Sequence, residues 1–421
     1  MITQPANTPA VLSSASTDTH LSALTTMRVG GPIRTYVETH TEADLIAVVA
    51  YADACDLPLL VIGGGSNIVA GDSEFTGIVV RDMRSGVQLI QQDACGGANV
   101  RVPAGHNWDL FVREAIEREW IGVETLIGIP GTVGAAPVQN IGAYGAEVAH
   151  VISSVRVYDR AQKGARTFAL TELEFAYRDS RIKRSMTIGD ETGKVWGPAP
   201  RYIVLEVDFQ FRLGTRSAPI QYAELARQLG VQVGERANTQ DVAQTVLQLR
   251  AGKGMLVDSY ERPETADTPG ALGTLHAPEN DTTPHTNTAP EYDRWSAGSF
   301  FTNPILSRAE AEKLPEGAPQ YPVHTLVKNE FGVSTPQVDD TRIKTSAAWL
   351  IQHAGFEKGY GVHGPASAAT LSTQHTLALT NRGQATASDI VELAQHVRDG
   401  VYTKYGVTLE PEPMVIGTSL L

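Results

Sequence analysis

Arg178, Ser299 and Glu412 are the side chains of this 421-residue sequence whose settings offer fixed charge, a transferable proton and a rigid carboxylate. Arg178 lies in Tyr177-Arg178-Asp179, and a guanidinium there can pair bidentately with a carboxylate or an enolate. A surface ion pair is the ordinary use of a lone arginine. Ser299 stands among small residues, just before Phe300 and Phe301. A hydroxyl held beside a ring wall can deliver a proton, whereas most serines in turns only shape the turn. Glu412 sits between Pro411 and Pro413, and the rigidity this gives suits a catalytic acid or an edge strand equally. Lys253 follows a helix expected to end at Arg250, where the helix dipole favours a cation in any case.

Two glycine-rich segments could take a ligand on bare backbone. The first is Gly63-Gly64-Gly65-Ser66-Asn67, directly after the apolar run Pro58–Ile62. A dinucleotide fingerprint fails here, because Ile68 occupies the position of the third glycine. Lys253 between Gly252 and Gly254 is likewise no Walker lysine. Three glycines still let N–H groups come close to a pyrophosphate, with Ser66 and Asn67 as added donors; a tight turn is the plain alternative. The second segment carries glycines at 128, 131, 134, 142 and 145. Exposed N–H and C=O groups there can bond the edge of a flat heteroaromatic ring. A close helix–sheet crossing explains one or two of these glycines, but not Gln139, Asn140 and Tyr144 threaded among them.

Periodicity supplies the elements that must hold these residues. Glu42–Cys55 predicts a helix with Leu45, Ile46, Val49 and Ala52 on its apolar stripe. Pro58–Ile62, Gly77–Arg81, Asn99–Val102 and Val151–Tyr158 read as strands. A helix from Asn107 to about Trp120 would bury Leu110, Phe111, Ala115 and Ile116, and a short one is expected at Thr171–Phe175. Glu206–Leu213 alternates cleanly, with Val207, Phe209, Phe211 and Leu213 on one face, as in a half-buried antiparallel strand. Thr386 and Asp389 form a capping box for a last helix striped by Ile390, Leu393, Ala394, Val397 and Val401. Residues 1–24 are expected to be a flexible arm. Residues 259–294 hold five prolines and few large aliphatics, which predicts a disordered insertion. The irregular order of strands and helices indicates an α+β chain, and no internal repeat is found.

Composition narrows the class. Asp and Glu outnumber Lys and Arg by 47 to 34, a net charge of −13. That excludes a general nucleic-acid binder, which needs a broad basic face. Two cysteines, Cys55 and Cys95, match neither a metal spacing nor a disulfide framework, so no metal is expected. The first twenty residues lack the basic start and apolar stretch of a signal peptide, and no apolar run reaches the roughly eighteen residues of a membrane span. A cytoplasmic, monomeric globular protein is expected.

Taken together and in order, these segments resemble the UDP-N-acetylenolpyruvoylglucosamine reductase family, also called UDP-N-acetylmuramate dehydrogenase, from about Thr25 to Gly417. The matching segments are Thr25–Pro32, Gly63–Asn67, Ile129–Pro137, Gln139–Gly145, Tyr177–Asp179, Gly298–Phe301 and Leu409–Glu412. The resemblance implies an FAD-binding module of the vanillyl-alcohol-oxidase (PCMH) type over 25–214, in subdomains of about 25–84 and 85–214. A C-terminal α+β substrate domain would follow over 215–421. It implies that Gly63, Gly64, Gly65, Ser66 and Asn67 cradle the pyrophosphate. Pro130, Gly131, Thr132, Gly134, Ala135, Gly142, Tyr144 and Gly145 would line the ribityl chain and isoalloxazine. Arg178, Ser299 and Glu412 match the catalytic positions, and Tyr177, Tyr222, Lys253, Asn303 and His375 match substrate-binding ones. Gln221–Leu225 looks like the tyrosine-bearing loop of one subtype, so Tyr222 and Lys253 would meet the uridine diphosphate end. The chain departs from the family at the 259–294 insertion, which is free to recruit a partner, and at His375, where some members carry Gln.

The implied reaction is reduction of UDP-N-acetylglucosamine enolpyruvate to UDP-N-acetylmuramate, a step of peptidoglycan precursor synthesis and hence of cell-wall biogenesis, cell shape and cell division. Hydride passes from NADPH through FAD to the enolpyruvyl β-carbon, and a proton reaches the α-carbon. Arg178 would meet the charge that develops on the carboxylate. Ser299 would give the proton, and Glu412 would tune the serine or bond the enolate oxygen. Two other readings are a flavin oxidase of the same fold and a non-catalytic flavin- or nucleotide-sugar-binding protein. The first is disfavoured by the absence of histidine from Gly63–Asp72. The second would bind without turnover, which the three catalytic matches oppose.

Overall fold

A computed structural model describes residues 8–256, 291–328 and 334–420. It divides into two compact units, Met1–Thr26 with Gly31–Ser66 and Ser73–Ala289, and Met27–Gly30 with Asn67–Asp72 and Pro290–Leu421. The α+β class expected from the sequence holds for both.

In the first unit a parallel three-stranded sheet runs in the order Ile33–Thr39, Phe75–Asp82, Leu59–Ile62. The helix Glu42–Ala54 starts where Thr41 Oγ1 accepts the N–H of Asp44, an N-cap bond that satisfies one of the four orphan donors of a helix end. It buries Leu45, Val48, Val49 and Ala52. Strand Leu59–Ile62 is buried at three of its four positions and delivers the chain into Gly63. An antiparallel sheet follows, in the order Gly164–Ala169, Ile152–Asp159, Tyr202–Leu213, Gly97–Pro103, Gln88–Asp93. The alternation predicted at 206–213 is its central strand: Val207, Phe209 and Phe211 are buried, while Gln210 and Arg212 face solvent.

The helix Trp108–Glu117 fixes the glycine segment. Asn107 caps it by accepting from the N–H of Leu110. Trp108 Nε1 donates to the carbonyl of Leu126 at 3.1 Å, and Gly128 N–H donates to Asp109 Oδ1 at 2.7 Å. Trp108 N–H donates to the carbonyl of Gly131. One helix N-terminus thus holds both ends of Leu126–Gly131. Its buried stripe is Trp108, Phe111, Val112, Ala115 and Ile116. Leu110, expected in that stripe, is 57% exposed, because successive helical residues turn about 100° apart and Leu110 falls opposite the centre of the stripe.

Several expectations change. Residues 8–24 are not a free arm: Ser16 pairs with Tyr36, Leu21 is buried, and Val11 and Leu12 pack on the parallel-sheet core. Thr171–Phe175 is no helix beyond a single 3-10 turn at Leu170–Glu172, since Glu174 takes a left-handed φ of 48°. The boundary expected at 214 moves. Helices Ala223–Leu229 and Thr239–Ala251 bury Leu225, Ala226, Val242, Val246 and Leu247 in the core that contains Trp108, Phe209 and Phe211. Of the insertion expected at 259–294, residues 259–290 lie outside the described residues. Residues 291–294 are ordered, with Asp293 accepting from Thr373 N–H and pairing with Arg382.

The second unit has an antiparallel sheet in the order Ile305–Ser307, Ser334–Thr345, Gln320–Lys328. Its long helix, Ala387–Tyr405, carries the predicted capping box between Thr386 and Asp389 and buries Ile390, Leu393, Ala394, Val397 and Val401. Met414–Ile416 pairs in parallel with Ile68–Ala70. Thus Asn67, the last residue of the glycine loop, and the strand Ile68–Ala70 belong to the same unit as the C-terminal strand.

Candidate active site

In the first unit the two glycine segments lie against each other. A Cβ on Gly64 would come within 2.7 Å of Gly131 Cα, and one on Gly63 within 2.6 Å of Thr132 Oγ1. Ser66 Oγ donates to the carbonyl of Pro130 at 2.9 Å, and Gly65, at φ 62°, accepts from the N–H of Thr26 through its carbonyl. Gly131 has φ 139°, and a Cβ there would meet only Ser66 Oγ, at 3.6 Å. Bare backbone therefore faces open space beside Gly131 while the loops behind it are locked together. That cradle fits an extended ligand with a diphosphate, because no side chain stands between the ligand and the peptide groups. Gly64→Ala is expected to force the loops apart, cost about 1–3 kcal/mol as overpacking does, and lower the flavin-to-protein ratio of the purified protein measured by absorbance.

Arg178 sits at the tip of a two-residue turn closed by reciprocal backbone bonds between Ala176 and Asp179. Its φ is 55°, a left-handed value that costs about 1–2 kcal/mol for a residue with a Cβ. Arg178 Nη2 donates to the carbonyl of Gly142 at 2.6 Å, and a Cβ on Gly142 would lie 2.9 Å from Nη1. The glycine is required first by the backbone carbonyl of Ala146, 2.7 Å from such a Cβ, and the guanidinium packs beside it. Close by in the same segment, Tyr144 is left-handed at φ 51°, and its ring meets Tyr222 edge-to-face at 5.5 Å. Burial pushes the Tyr144 phenol pKa up, so it stays a neutral donor. Lys253 Nζ lies 5.7 Å from the Tyr144 ring centre and pairs with Glu224 at 2.9 Å. The structure therefore gathers Tyr144, Tyr222 and Lys253, which the sequence spreads over more than a hundred residues. Tyr222 is the residue before helix Ala223–Leu229 and is 43% exposed.

In the second unit Ser299 and Glu412 are brought together by backbone pairing. Glu412 N–H donates to the carbonyl of Phe300 at 2.8 Å, Thr302 N–H donates to that of Glu410, and Phe301 bridges Pro411. Phe300 and Phe301 are buried and meet edge-to-face at 5.1 Å, which pins the segment that carries the half-buried Ser299. Asn67 joins them: its Nδ2 donates to the Glu412 carbonyl at 3.4 Å, and its own carbonyl accepts from Met414 N–H. Asn303 Oδ1 accepts from Ala347 N–H at the start of helix Ala347–His353. His375 stands in the turn between strands Ala369–Leu371 and Leu379–Asn381, its N–H bonded to Ser372 Oγ.

The segments that form these features match known proteins in the same order. Residues 33–164 match a family model described as FAD binding domain, and residues 290–416 match UDP-N-acetylenolpyruvoylglucosamine reductase, C-terminal domain. A protein of Cutibacterium acnes named UDP-N-acetylenolpyruvoylglucosamine reductase is 46% identical, over 97% of this chain and 92% of its own. A Salinispora arenicola protein of the same name is 40% identical over 95% of each chain. The chain belongs to the UDP-N-acetylenolpyruvoylglucosamine reductase family. The crystal structure of such a reductase from Thermus caldophilus shares its fold, with a TM-score of 0.53 at 22% identity, covering 94% of this chain and 97% of that one.

Within this reductase family framework, what the sequence reading missed is the set of residues behind Arg178. Asn140 has φ 49° and is fully buried; its Nδ2 donates to Glu147 Oε2 and to the Ala176 carbonyl, both at 2.9 Å, and its Oδ1 accepts from Ala149 N–H. Lys183 Nζ donates to Gln139 Oε1 at 2.9 Å and to the Arg178 carbonyl at 3.1 Å. Gln139 and Asn140 stand out in sequence as polar residues among glycines, but nothing in sequence ties them to Arg178. Lys183 carries no signal in the sequence; the structure places it in the helix Arg181–Thr187.

Proposed function

We propose that this chain reduces UDP-N-acetylglucosamine enolpyruvate to UDP-N-acetylmuramate with NADPH as reductant and FAD as cofactor. The single observation that carries this reading is the similarity to reductases of that name along almost the entire chain. Flavin binding is assigned to the first unit, on the bare backbone of Gly63–Gly65 and Pro130–Ala135 and on Gly142, Tyr144 and Gly145. Bound FAD supplies a carrier that takes hydride from NADPH and delivers it to the enolpyruvyl β-carbon. The rest is work for the chain's own groups. As the β-carbon gains hydride, negative charge spreads onto the α-carbon and its carboxylate. Arg178 presents a fixed guanidinium to that carboxylate, and a preoriented cation lowers such a transition state without reorganisation. Ser299 gives its proton to the α-carbon, which completes the addition of one hydride and one proton across the double bond. Glu412, one residue out of register from Ser299 across the backbone pair, supports proton delivery or bonds the enolate oxygen. Tyr177, Tyr222, Lys253, Asn303 and His375 are proposed substrate contacts, with Tyr222 and Lys253 toward the diphosphate.

The nucleotide sugar and NADPH are both water-soluble, which supports a cytoplasmic place of action in peptidoglycan precursor synthesis. No helix among the described residues is long and apolar enough to cross a membrane. The test is a single anaerobic absorbance titration. The yellow protein is expected to bleach on NADPH and to regain its colour on addition of UDP-N-acetylglucosamine enolpyruvate. Recovery of colour only with air would identify an oxidase instead, and a colourless protein that takes up no FAD would overturn the flavoprotein reading.

A further inference from the structure

Arg178 is held at two ends. The guanidinium is bonded to the Gly142 carbonyl, and the backbone carbonyl of Arg178 accepts from Lys183 Nζ. The same ammonium reaches Gln139 Oε1, and Gln139 is 8% exposed, so Lys183 ties the arginine turn to the glycine segment. Asn140 ties the other side of that turn through the Ala176 carbonyl. Lys183 is itself placed by Ser180, which caps helix Arg181–Thr187 by accepting from Lys183 N–H and donates its hydroxyl to the Val138 carbonyl. Two residues of this small network that carry a Cβ, Asn140 and Arg178, are left-handed. Such conformations persist only where neighbours over-determine them, and they collect at functional sites.

We infer that Lys183 is a positioning residue for Arg178: its ammonium pins the carbonyl of the turn and so keeps the strained backbone, and with it the guanidinium, in one orientation. The inference rests on the reading that Arg178 meets the charge developing on the substrate carboxylate. A charge-assisted bond is about twice as strong as a neutral one. Without it, the peptide between Arg178 and Asp179 keeps only the Asp179 N–H bond to the Ala176 carbonyl, and the arginine is less firmly held in the left-handed region. A catalytic group displaced by about 1 Å can lose about 10²-fold in rate. A merely structural role, holding helix Arg181–Thr187 in place, would lower stability with no preference between the two halves of the reaction.

The experiment compares Lys183→Met, Lys183→Arg, Arg178→Met and the double variant Lys183→Met/Arg178→Met, all as the FAD-loaded full chain, with each half-reaction followed separately by rapid-mixing absorbance. Lys183→Met is expected to slow reoxidation by the enolpyruvyl sugar by about 10- to 100-fold, while reduction by NADPH stays nearly unchanged. Lys183→Arg should restore part of the loss. In the Arg178→Met background the lysine change should add nothing, because a residue that acts through another has no effect once that other is gone. The inference is overturned if Lys183→Met slows both half-reactions alike, or if its effect persists in full without Arg178. If Arg178→Met itself leaves reoxidation unchanged, the reading of Arg178 fails first, and the two failures are told apart.

Discussion

Ser299→Ala is expected to slow reduction of the enolpyruvyl sugar by about 10²–10⁴-fold, the range lost when a positioned general acid is removed, while the bound flavin is still reduced by NADPH at nearly the normal rate. The asymmetry follows from where the proton is needed. Hydride transfer from NADPH to the flavin needs no proton at the enolpyruvyl α-carbon, whereas the second half-reaction cannot finish without one. The substitution removes a single oxygen from a segment fixed by other means. Phe300 N–H donates to the Leu377 carbonyl at 2.7 Å, the Phe300 carbonyl accepts from Glu412 N–H, and both phenylalanine rings are buried. A change in melting temperature of more than a few degrees would therefore be a surprise. Ser299→Cys keeps a proton donor in the same place and should recover part of the rate. Equal slowing of both half-reactions by Ser299→Ala would show that the serine shapes the site and does not supply the proton.

Arg178→Met should cost about 10²–10³-fold in the same half-reaction, the usual loss when one preoriented stabiliser of a developing anion is deleted. Methionine keeps much of the chain length and loses the charge. Arg178→Lys separates charge from shape. It retains a cation, but it loses the planar fork that lets one nitrogen bond the Gly142 carbonyl while the others remain aimed elsewhere. An intermediate loss is expected, and full activity in Arg178→Lys would mean that charge alone is what the site uses. Because Arg178 sits at φ 55°, Met and Lys, both unbranched at Cβ like arginine, carry a similar backbone strain, so the two variants can be compared with little difference in turn energy.

Much of the framework is legible without coordinates. The capping box at Thr386, the alternation at Val207–Leu213 and the apolar run feeding Gly63 are local signals, set by hydrogen bonds and side-chain periods that span a few residues. Where local propensity was the only guide, it misled. The Thr171–Phe175 helix loses to a left-handed Glu174. Leu110 turns outward because Trp108 and Phe111 take the core. The arm at 8–24 is tied down by pairing with a strand that begins at Ile33. Helices Ala223–Leu229 and Thr239–Ala251 join the first unit because their apolar faces enter the core cluster that also holds Trp108 and Phe211, a partner choice that no window of sequence contains.

The sequence by itself determined which residues are candidates: the glycines whose backbone can be approached, the arginine, the serine and the carboxylate, since these depend on residue type and order. The tertiary structure alone decided how they are held. Phe300 meets Glu412 across more than a hundred residues, Gly64 meets Gly131, and Arg178 is fixed at one end by Gly142 and at the other by Lys183. Phe300 and Glu412 meet through backbone groups, and both arginine contacts end on a backbone carbonyl, which every residue carries alike. Which carbonyl is met leaves no mark in residue type and is settled only when the chain folds.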